Sequence, residues 1–185
     1  MRKLLVFNLI TLDGFFEGPG QNIDWHNVDA EFNEFALEQL AELGVIIFGR
    51  VTYQGMASFW PTPFALENDP VVAAQMNSIS KIVVSRTLDK VEWNNTRLIK
   101  DNLAQEITRL KEQPGKDLAI FGSANLAASL LQMGLIDEIR VIVNPLLLGQ
   151  GTPLFQGIAA PLKLKLLKTR TFHNGNLLLC YEPIQ

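Results

Sequence analysis

Short apolar runs alternate with amphipathic helical segments along most of this chain, and this alternation restricts the fold more than any other feature. The runs have little polar alternation and are bounded by turn residues, as is typical of strands in a parallel sheet covered on both faces. They lie at 3–11, 44–49, 80–85, 117–122 and 138–145. Apolar residues at helical spacing predict helices between these strands, over 29–43, 50–60, 71–78, 101–112 and 123–134. The prolines of 61–70 predict a surface loop.

The end of the chain follows a different pattern. Two extended segments, 162–170 and 176–181, flank Asn174-Gly175, and this dipeptide predicts a tight turn between antiparallel strands. Repeated strand-helix-strand units before it predict a mostly parallel central sheet with helices on both faces. The expected fold is therefore a three-layer α/β/α domain over residues 1–185, with a C-terminal antiparallel β-hairpin.

Composition and charge narrow the classes of function. The formal net charge is −3, and no predicted element carries a cluster of Lys and Arg, so we expect no nucleic-acid partner. Cys180 is the only cysteine, which excludes an internal disulfide and a zinc site built from several thiolates, and we expect no metal. The start of the chain, 1–16, contains polar residues and predicts a strand rather than a signal peptide. We expect a cytoplasmic protein with no membrane segment.

Three turns that follow strands carry residues suited to phosphate. Glycine permits close approach of a backbone, a helix N-terminus offers free N–H groups, and arginine and hydroxyl side chains add donors. The turns are Gly49-Arg50-Val51-Thr52, Ser85-Arg86-Thr87 and Gly122-Ser123-Ala124-Asn125. Each could equally be a plain turn or cap, but together at one edge of a sheet they predict a dinucleotide site. The usual Rossmann glycine fingerprint and the Walker loop are absent from the sequence.

A second group of residues could contact a substrate. Asp13 ends the first strand, where a carboxylate could orient a substrate or relay a proton, although with Gly14 it could also simply form the turn. Trp25 could stack on a flat heterocycle or fill a core. His26 and His173 have no evident set of partners in the sequence, so we treat both as surface or structural residues.

Four stretches together resemble a known family. They are TLDGFFEG (11–18), FGRVTYQGM (48–56), KIVVSRTL (81–88) and the long run from Ile120 to Phe155, which contains GQGTPLF. They are similar to the C-terminal reductase domain of the bifunctional riboflavin-biosynthesis deaminase-reductase and its stand-alone relatives, within the dihydrofolate-reductase-like superfamily. The zinc signature of the deaminase half and the Pro-Trp-x-Leu-Pro segment of dihydrofolate reductases are both missing from the sequence.

The resemblance implies an NADPH-dependent oxidoreductase with a dihydrofolate-reductase-like fold. Its implied reaction is the reduction of 5-amino-6-(5-phosphoribosylamino)uracil in riboflavin biosynthesis. There are two alternatives. The protein could reduce another pterin, carbonyl or xenobiotic substrate on the same fold, or it could bind a nucleotide without catalysis. The resemblance also implies a homodimer that binds a small-molecule substrate.

Individual roles follow from the same resemblance. Asp13 would be catalytic. The substrate would lie near Asp13, Trp25, Leu148, Gly149 and Gly151. The cofactor would be held by Gly49, Arg50, Val51, Thr52, Ser85, Arg86, Thr87, Gly122, Ser123, Ala124, Asn125 and Leu126.

Overall fold

A single large sheet forms the centre of the protein, whose computed structural model describes residues 1–184. Its strands are β1 (Leu4–Thr11), β3 (Leu43–Gly49), β4 (Ser80–Val84), β5 (Thr96–Ile99), β6 (Asp117–Phe121), β7 (Glu138–Asn144), β9 (Leu164–Thr171) and β10 (Leu177–Pro183). Two short strands, β2 (Phe15–Glu17) and β8 (Thr152–Pro153), pair separately. The helices are α1 (Ala30–Glu42), α2 (Arg50–Phe59), α3 (Pro63–Asn68), α4 (Pro70–Ser78), α5 (Leu103–Glu112) and α6 (Ala124–Gln132), with a short 3₁₀ turn at Pro19–Gln21.

The order of the strands across the sheet is β5-β4-β3-β6-β1-β7-β10-β9. The first six run parallel, with Leu5 of β1 opposite Ala119 of β6 on one side and Glu138 of β7 on the other. The last two strands form a hairpin in which β10 is antiparallel to both β7 and β9. The predicted mostly parallel sheet with a C-terminal antiparallel hairpin is confirmed.

Helices cover both faces of the sheet because successive residues of a strand point to opposite sides. On one face, Leu4 and Val6 of β1 belong to the core that contains residues of α5 and α6. On the other, Leu5 packs in a core with residues of α1, α2 and α4, and Phe32 and Phe35 of α1 cover the hairpin side. These three layers match the predicted arrangement.

The structure adds β2, β8 and the 3₁₀ turn to the predicted elements, and it also differs from them at α3 and β5. Residues 63–68 form helix α3 where the prolines predicted a loop, because proline fits the first position of a helix and the Thr62 hydroxyl accepts a hydrogen bond from the Ala65 N–H at 3.2 Å. Strand β5 was not predicted, since its four residues are too short and too polar to show a pattern. It is stabilised by pairing with β4 at the edge of the sheet.

Two further observations concern the described part of the chain. Among residues 1–184, none of the helices combines the length and apolar character that crossing a membrane requires. The same residues contain no group of three or more His, Cys, Asp or Glu side chains placed to bind a metal ion.

Candidate functional site

The carboxyl ends of five neighbouring parallel strands place their turns side by side along one edge of the sheet. In spatial order these strands are β4, β3, β6, β1 and β7. The turns that follow them are 85–87, 49–52, 122–126, 11–14 and 144–151. We call this edge the rim. Adjacent strands lie about 4.8 Å apart, so the three turns predicted to bind cofactor span roughly 10 Å and the two assigned to substrate continue from them.

Two of the cofactor turns are in direct contact. The Ser123 hydroxyl accepts a hydrogen bond from the Gly49 N–H at 2.6 Å and lies 3.0 Å from the Thr52 hydroxyl. The Thr52 hydroxyl in turn accepts a bond from the Ser123 N–H at 3.1 Å. These bonds fix the turn after β3 against the turn after β6.

The turn after β6 has an uncommon backbone conformation. Gly122 and Ser123 both have positive φ, at 62° and 58°. A Cβ on Gly122 would lie 2.7 Å from the Thr52 Cγ2, so only glycine fits between the two turns. Left-handed backbone at a non-glycine residue is costly and tends to occur at functional sites, where surrounding contacts maintain it. Here the bonds from Ser123 to Gly49 and Thr52 maintain it.

Both helices that begin at the cofactor turns have N-termini open to a ligand. Within the described chain, no side chain caps α2 at Gly49 or α6 at Ser123. The first N–H groups of a helix have no partner within it and attract anions. Asn125 is exposed, whereas the side chains of Ala124 and Leu126 are buried in the core. Those two predicted residues can therefore reach a ligand only through their backbone.

The arginines of the cofactor turns are exposed. Arg86 lies on the outermost turn, and Arg50 begins α2 beside the exposed Val51 and hydrogen-bonds only with Gln54, at 3.1 Å, among the described residues. The Ser85 hydroxyl is buried and accepts from the N–H groups of Thr87 and Leu88 at 3.2 and 3.1 Å. Ser85 thus shapes the turn, and Arg86 is the side chain left to bind an anion.

Asp13 holds two parts of the rim together. Its carboxylate accepts from the Thr11 hydroxyl at 2.5 Å, from the Leu148 N–H at 3.1 Å and from the Gly149 N–H at 2.8 Å. The Thr11 bond, followed by the Gly149 and Leu148 bonds, lowers the pKa of Asp13 below its ordinary value. A carboxylate with these donors stays ionised, which argues against Asp13 as a proton donor and for a role in positioning the 144–151 turn.

The two segments predicted to bind substrate pack against each other beyond the sheet. Strands β2 and β8 pair, and the Thr152 hydroxyl donates to the Glu17 carboxylate at 2.9 Å. Gly151 approaches the backbone so closely that a Cβ there would lie 2.2 Å from the Glu17 carbonyl oxygen. The Leu148 side chain lies against Gly18. The structure therefore brings Asp13, Leu148, Gly149 and Gly151 together, and their contact with a substrate stays a prediction.

Trp25 lies on the loop between the 3₁₀ turn and α1. Its indole N–H donates to the Asn22 carbonyl at 3.2 Å, and its ring meets His26 edge-on with centroids 4.6 Å apart. These contacts are within its own loop, and the side chain is half-buried. The stacking role of Trp25 stays a prediction.

A cluster of asparagines, which the sequence did not reveal, ties this loop to β7 and the hairpin turn. The Asn144 side-chain oxygen accepts from the Asn27 N–H at 2.9 Å, and the Asn27 carbonyl accepts from Asn174 and Asn176 at 3.1 and 2.8 Å. Asn144 and Asn176 are buried. Only Asn174 showed a signal in the sequence, as part of the tight turn. The partners are over a hundred residues apart, so no local pattern predicts them.

The two histidines lie in different environments. His173 has a partner, because its N–H and its ring Nδ1 both lie 2.9 Å from the Glu31 carboxylate. These bonds, together with Arg170, lower the pKa of Glu31 to about 2. His26 is largely buried, and burial lowers its pKa to about 4, so its ring is neutral near neutral pH. His173 is exposed and paired with Glu31, which agrees with its interpretation as a surface or structural residue.

An open cleft of about 710 Å³ lies beside the outermost cofactor turn, between α2 and residues 87–94. Its lining includes Tyr53 and Gln54 of α2, and Asp89, Lys90 and Glu92 of the facing segment. It shares only Thr87 with the cofactor turns. It is therefore a separate feature from the rim.

The sequence matches the family model of the RibD C-terminal domain over residues 2–178. This chain belongs to the RibD C-terminal domain family. Among relatives in the family, it is 32% identical over 183 residues to the uncharacterized protein YyaP of Bacillus subtilis strain 168, covering 98% of this chain and 95% of YyaP. It is 25% identical over 172 residues to YwjB of the same organism, covering 92% of each.

Solved structures similar to this RibD C-terminal domain show the same fold. A candidate riboflavin biosynthesis protein from Shewanella sp. PV-4 superposes with a TM-score of 0.76 at 24% identity, covering 99% of both chains. The deaminase/reductase of Thermotoga maritima gives 0.72 at 15% identity, covering 99% of this chain and 57% of that one. Dihydrofolate reductase from Enterococcus faecalis gives 0.64 at 15%, covering 99% and 97%. The dihydrofolate-reductase-like fold is confirmed.

The role of Asp13 in this RibD C-terminal domain can be tested with Asp13→Asn. The amide keeps the size of the side chain but loses its charge and one acceptor oxygen. We expect hydrogen exchange at the Leu148 and Gly149 amides to accelerate by roughly tenfold or more, because both N–H groups bond to the carboxylate. Unchanged exchange at both amides would contradict the positioning role.

Proposed function

We propose that this protein is an NADPH-dependent reductase of a small organic substrate. The observation that supports this most strongly is the alignment, on the adjacent strands β4, β3 and β6, of the three turns predicted to bind phosphate. The next two strands along the rim, β1 and β7, carry the substrate residues. A cofactor and a substrate would therefore meet where β6 and β1 adjoin, at the boundary between the two sets of turns.

The residues of the cofactor turns fit a dinucleotide phosphate. Close contact between Gly122 and Thr52 fixes the backbone of the β6 turn at the start of α6, where the helix dipole favours an anion. Arg50 on the neighbouring β3 turn and Arg86 on the β4 turn beyond it are exposed, and a guanidinium matches the 2′-phosphate that distinguishes NADPH from NADH. Support also comes from the similar Enterococcus faecalis reductase, which was solved in complex with NADP(H).

The protein's contribution to the reaction is orientation. NADPH, when bound, supplies the hydride. The Ser123–Thr52–Gly49 bonds fix the turn that would hold its pyrophosphate, and Asp13 fixes the 144–151 turn on the substrate side. Since Asp13 is held as a carboxylate, the proton that accompanies hydride transfer would come from solvent or from the substrate itself.

The family suggests one substrate. The name of the Thermotoga maritima relative includes 5-amino-6-(5-phosphoribosylamino)uracil reductase, so that compound is the first candidate. The alternatives are another pterin, carbonyl or xenobiotic compound on the same fold. Titration calorimetry with NADPH and NADH tests the cofactor before any substrate is chosen, and failure of both to bind would remove the basis of the proposal.

Arg86→Ala tests the preference for NADPH. We expect its affinity for NADPH to fall by roughly 10- to 100-fold, because a hydrogen bond to a charged group contributes about 1.5–3 kcal/mol. Its affinity for NADH should stay the same, since NADH lacks the phosphate. Arg109→Ala, which removes an exposed arginine of α5, is the matched control and should change neither affinity. Equal losses for the two cofactors in Arg86→Ala would refute the assignment.

We further propose a homodimer formed through the hairpin. Strand β9 is an outer strand whose free edge could pair, and it exposes three leucines, Leu164, Leu166 and Leu167. Light scattering at micromolar concentration should give twice the mass of one chain. Leu166→Lys should shift the protein towards the monomer, whereas a monomeric parent protein would contradict the proposal.

A further inference from the structure

The two halves of the rim differ in charge. The substrate segments, which we define as 11–29 and 144–155, lie within two long stretches that contain neither lysine nor arginine, 4–49 and 141–162. The ionisable side chains with negative charge on these segments are Asp13, Glu17, Asp24 and Asp29. The cofactor turns, by contrast, carry Arg50 and Arg86. Cationic side chains are therefore confined to the half of the rim that we assign to NADPH.

Arg170, on the hairpin beside the rim, is already paired. Strand β9 ends at the same edge of the sheet as β7, which places Arg170 near the loop that precedes α1. Its guanidinium lies 3.3 Å from the Glu31 carboxylate and 3.8 Å from that of Glu38. It also lies over the Phe172 ring, 4.7 Å from the centroid. Using Arg170 for a substrate phosphate would break these contacts.

Apolar side chains are exposed on the same two segments. Leu12 is 66% exposed and Leu147 is 70% exposed, and they flank the Asp13 carboxylate and its partner Leu148 in the chain. The Leu12 N–H donates to the Leu146 carbonyl at 2.9 Å, so the two leucine-bearing turns are adjacent. Ile23 is also exposed, on the loop that carries Trp25. Exposed apolar side chains gathered around a predicted site indicate a binding surface for apolar groups.

We propose that the substrate of this site is an unphosphorylated organic molecule with an apolar face, neutral or cationic in charge. The proposal rests on the reductase function proposed above and concerns its substrate class, and it replaces the phosphoribosyl compound that the family suggests with one of the unphosphorylated alternatives. A phosphate group would carry about −1.5 to −2 charges into a region of four carboxylates, where it would be repelled and lose hydration without a cation to replace it. An apolar, uncharged molecule would instead cover Leu12, Ile23 and Leu147 and meet no such penalty.

The test compares pairs of ligands that differ only in one phosphate. Riboflavin with FMN, and pyridoxine with pyridoxine 5′-phosphate, are titrated into protein saturated with NADP⁺, so that no reduction occurs. We expect the unphosphorylated member of at least one pair to bind about tenfold more tightly than its phosphate ester. Raising the salt concentration should strengthen binding of the ester, because repulsion is screened, and leave the unphosphorylated partner unchanged.

A charge introduced into the apolar surface provides a second measurement. Leu147→Lys should increase affinity for FMN several-fold relative to Leu147→Gln, the matched uncharged control, while affinity for riboflavin stays equal in the two variants. Both variants should bind NADP⁺ as the parent does. Tighter binding of the esters by the parent protein, or no binding of either unphosphorylated compound, would overturn the proposal. Failure of the proposed function is distinguishable, since NADP⁺ itself would then not bind.

Discussion

Gly122→Ala is expected to weaken NADPH binding by about tenfold or more while the protein remains folded. The positive φ of Gly122 costs alanine roughly 1–2 kcal/mol. Its Cβ would also lie 2.7 and 2.8 Å from the Thr52 Cγ2 and hydroxyl. Thr52 is short and branched and cannot swing away as a long side chain could. It must shift, and it would then no longer hold the Ser123 N–H at the start of α6.

Titration calorimetry with NADPH measures the loss, with circular dichroism to verify the fold. Gly157→Ala is the matched control, because Gly157 also has a positive φ, 83°, but has nothing within 4 Å of the added Cβ. The control should lose a similar small amount of stability from the backbone term and keep its affinity for NADPH. If the two variants bind NADPH equally well, the β6 turn does not hold the cofactor.

Gly151→Ala is expected to lower the free energy of unfolding by roughly 3 kcal/mol or more, within the range of severe single substitutions. The added Cβ would lie 2.2 Å from the Glu17 carbonyl oxygen and 3.2 Å from the Gly18 Cα. Because these are backbone atoms, relief requires separating β2 from β8. Thermal unfolding should show a decrease in Tm of at least about 6 °C, at roughly 2–4 °C per kcal/mol for a chain of this size.

Gly149→Ala separates the energetic cost of the steric clash in Gly151→Ala from the cost of placing alanine at a positive φ. Gly149 lies in the same turn with φ of 77°, and an added Cβ there would have no neighbour within 4 Å. Its cost should be limited to the conformational term of roughly 1–2 kcal/mol. A Tm for Gly151→Ala equal to that of Gly149→Ala would show that the close contact between Gly151 and Glu17 does not stabilise the protein.

Both glycines illustrate how the rim depends on contacts between turns that are distant in sequence. Gly122 is positioned by Thr52, and Gly151 by Glu17. From the sequence, Gly122 and Gly151 could be recognised as turn residues that follow strands. The sequence did not predict which side chain would meet each glycine, because that depends on the order of the strands in the sheet.

The prediction of the strands themselves was largely correct. Buried strands such as 3–11 and 117–122 have nearly continuous apolar runs, which local composition shows directly. The misses were β5, α3 and the short strands β2 and β8, where the local signal is weak or misleading. For β5, pairing with β4 stabilises a strand whose four residues are too few and too polar to show a strand pattern. For α3, the Thr62 cap turns a proline-rich stretch into a helix.

For the functional residues too, the sequence identified candidates, whereas the structure showed their partners. The sequence singled out Arg86 and Asp13 from their positions after strands. The structure leaves Arg86 exposed on the outermost cofactor turn and gives Asp13 three donors, two of them 135 and 136 residues away in the chain. Those donors lower its pKa and favour a positioning role, and its catalytic role stays a prediction. Glu31 and His173 were not identified as partners because they are 142 residues apart.

The sequence by itself determined the fold class, the hairpin and the chemical character of each turn. These follow from hydrophobic periodicity, glycine and the placement of charged side chains, all of which are local properties of the chain. Only the tertiary structure decided that the turns after β4, β3 and β6 are neighbours, with those after β1 and β7 next to them. The physical reason is that strand order and contacts between distant turns minimise the free energy of the whole packed domain, which no short segment encodes.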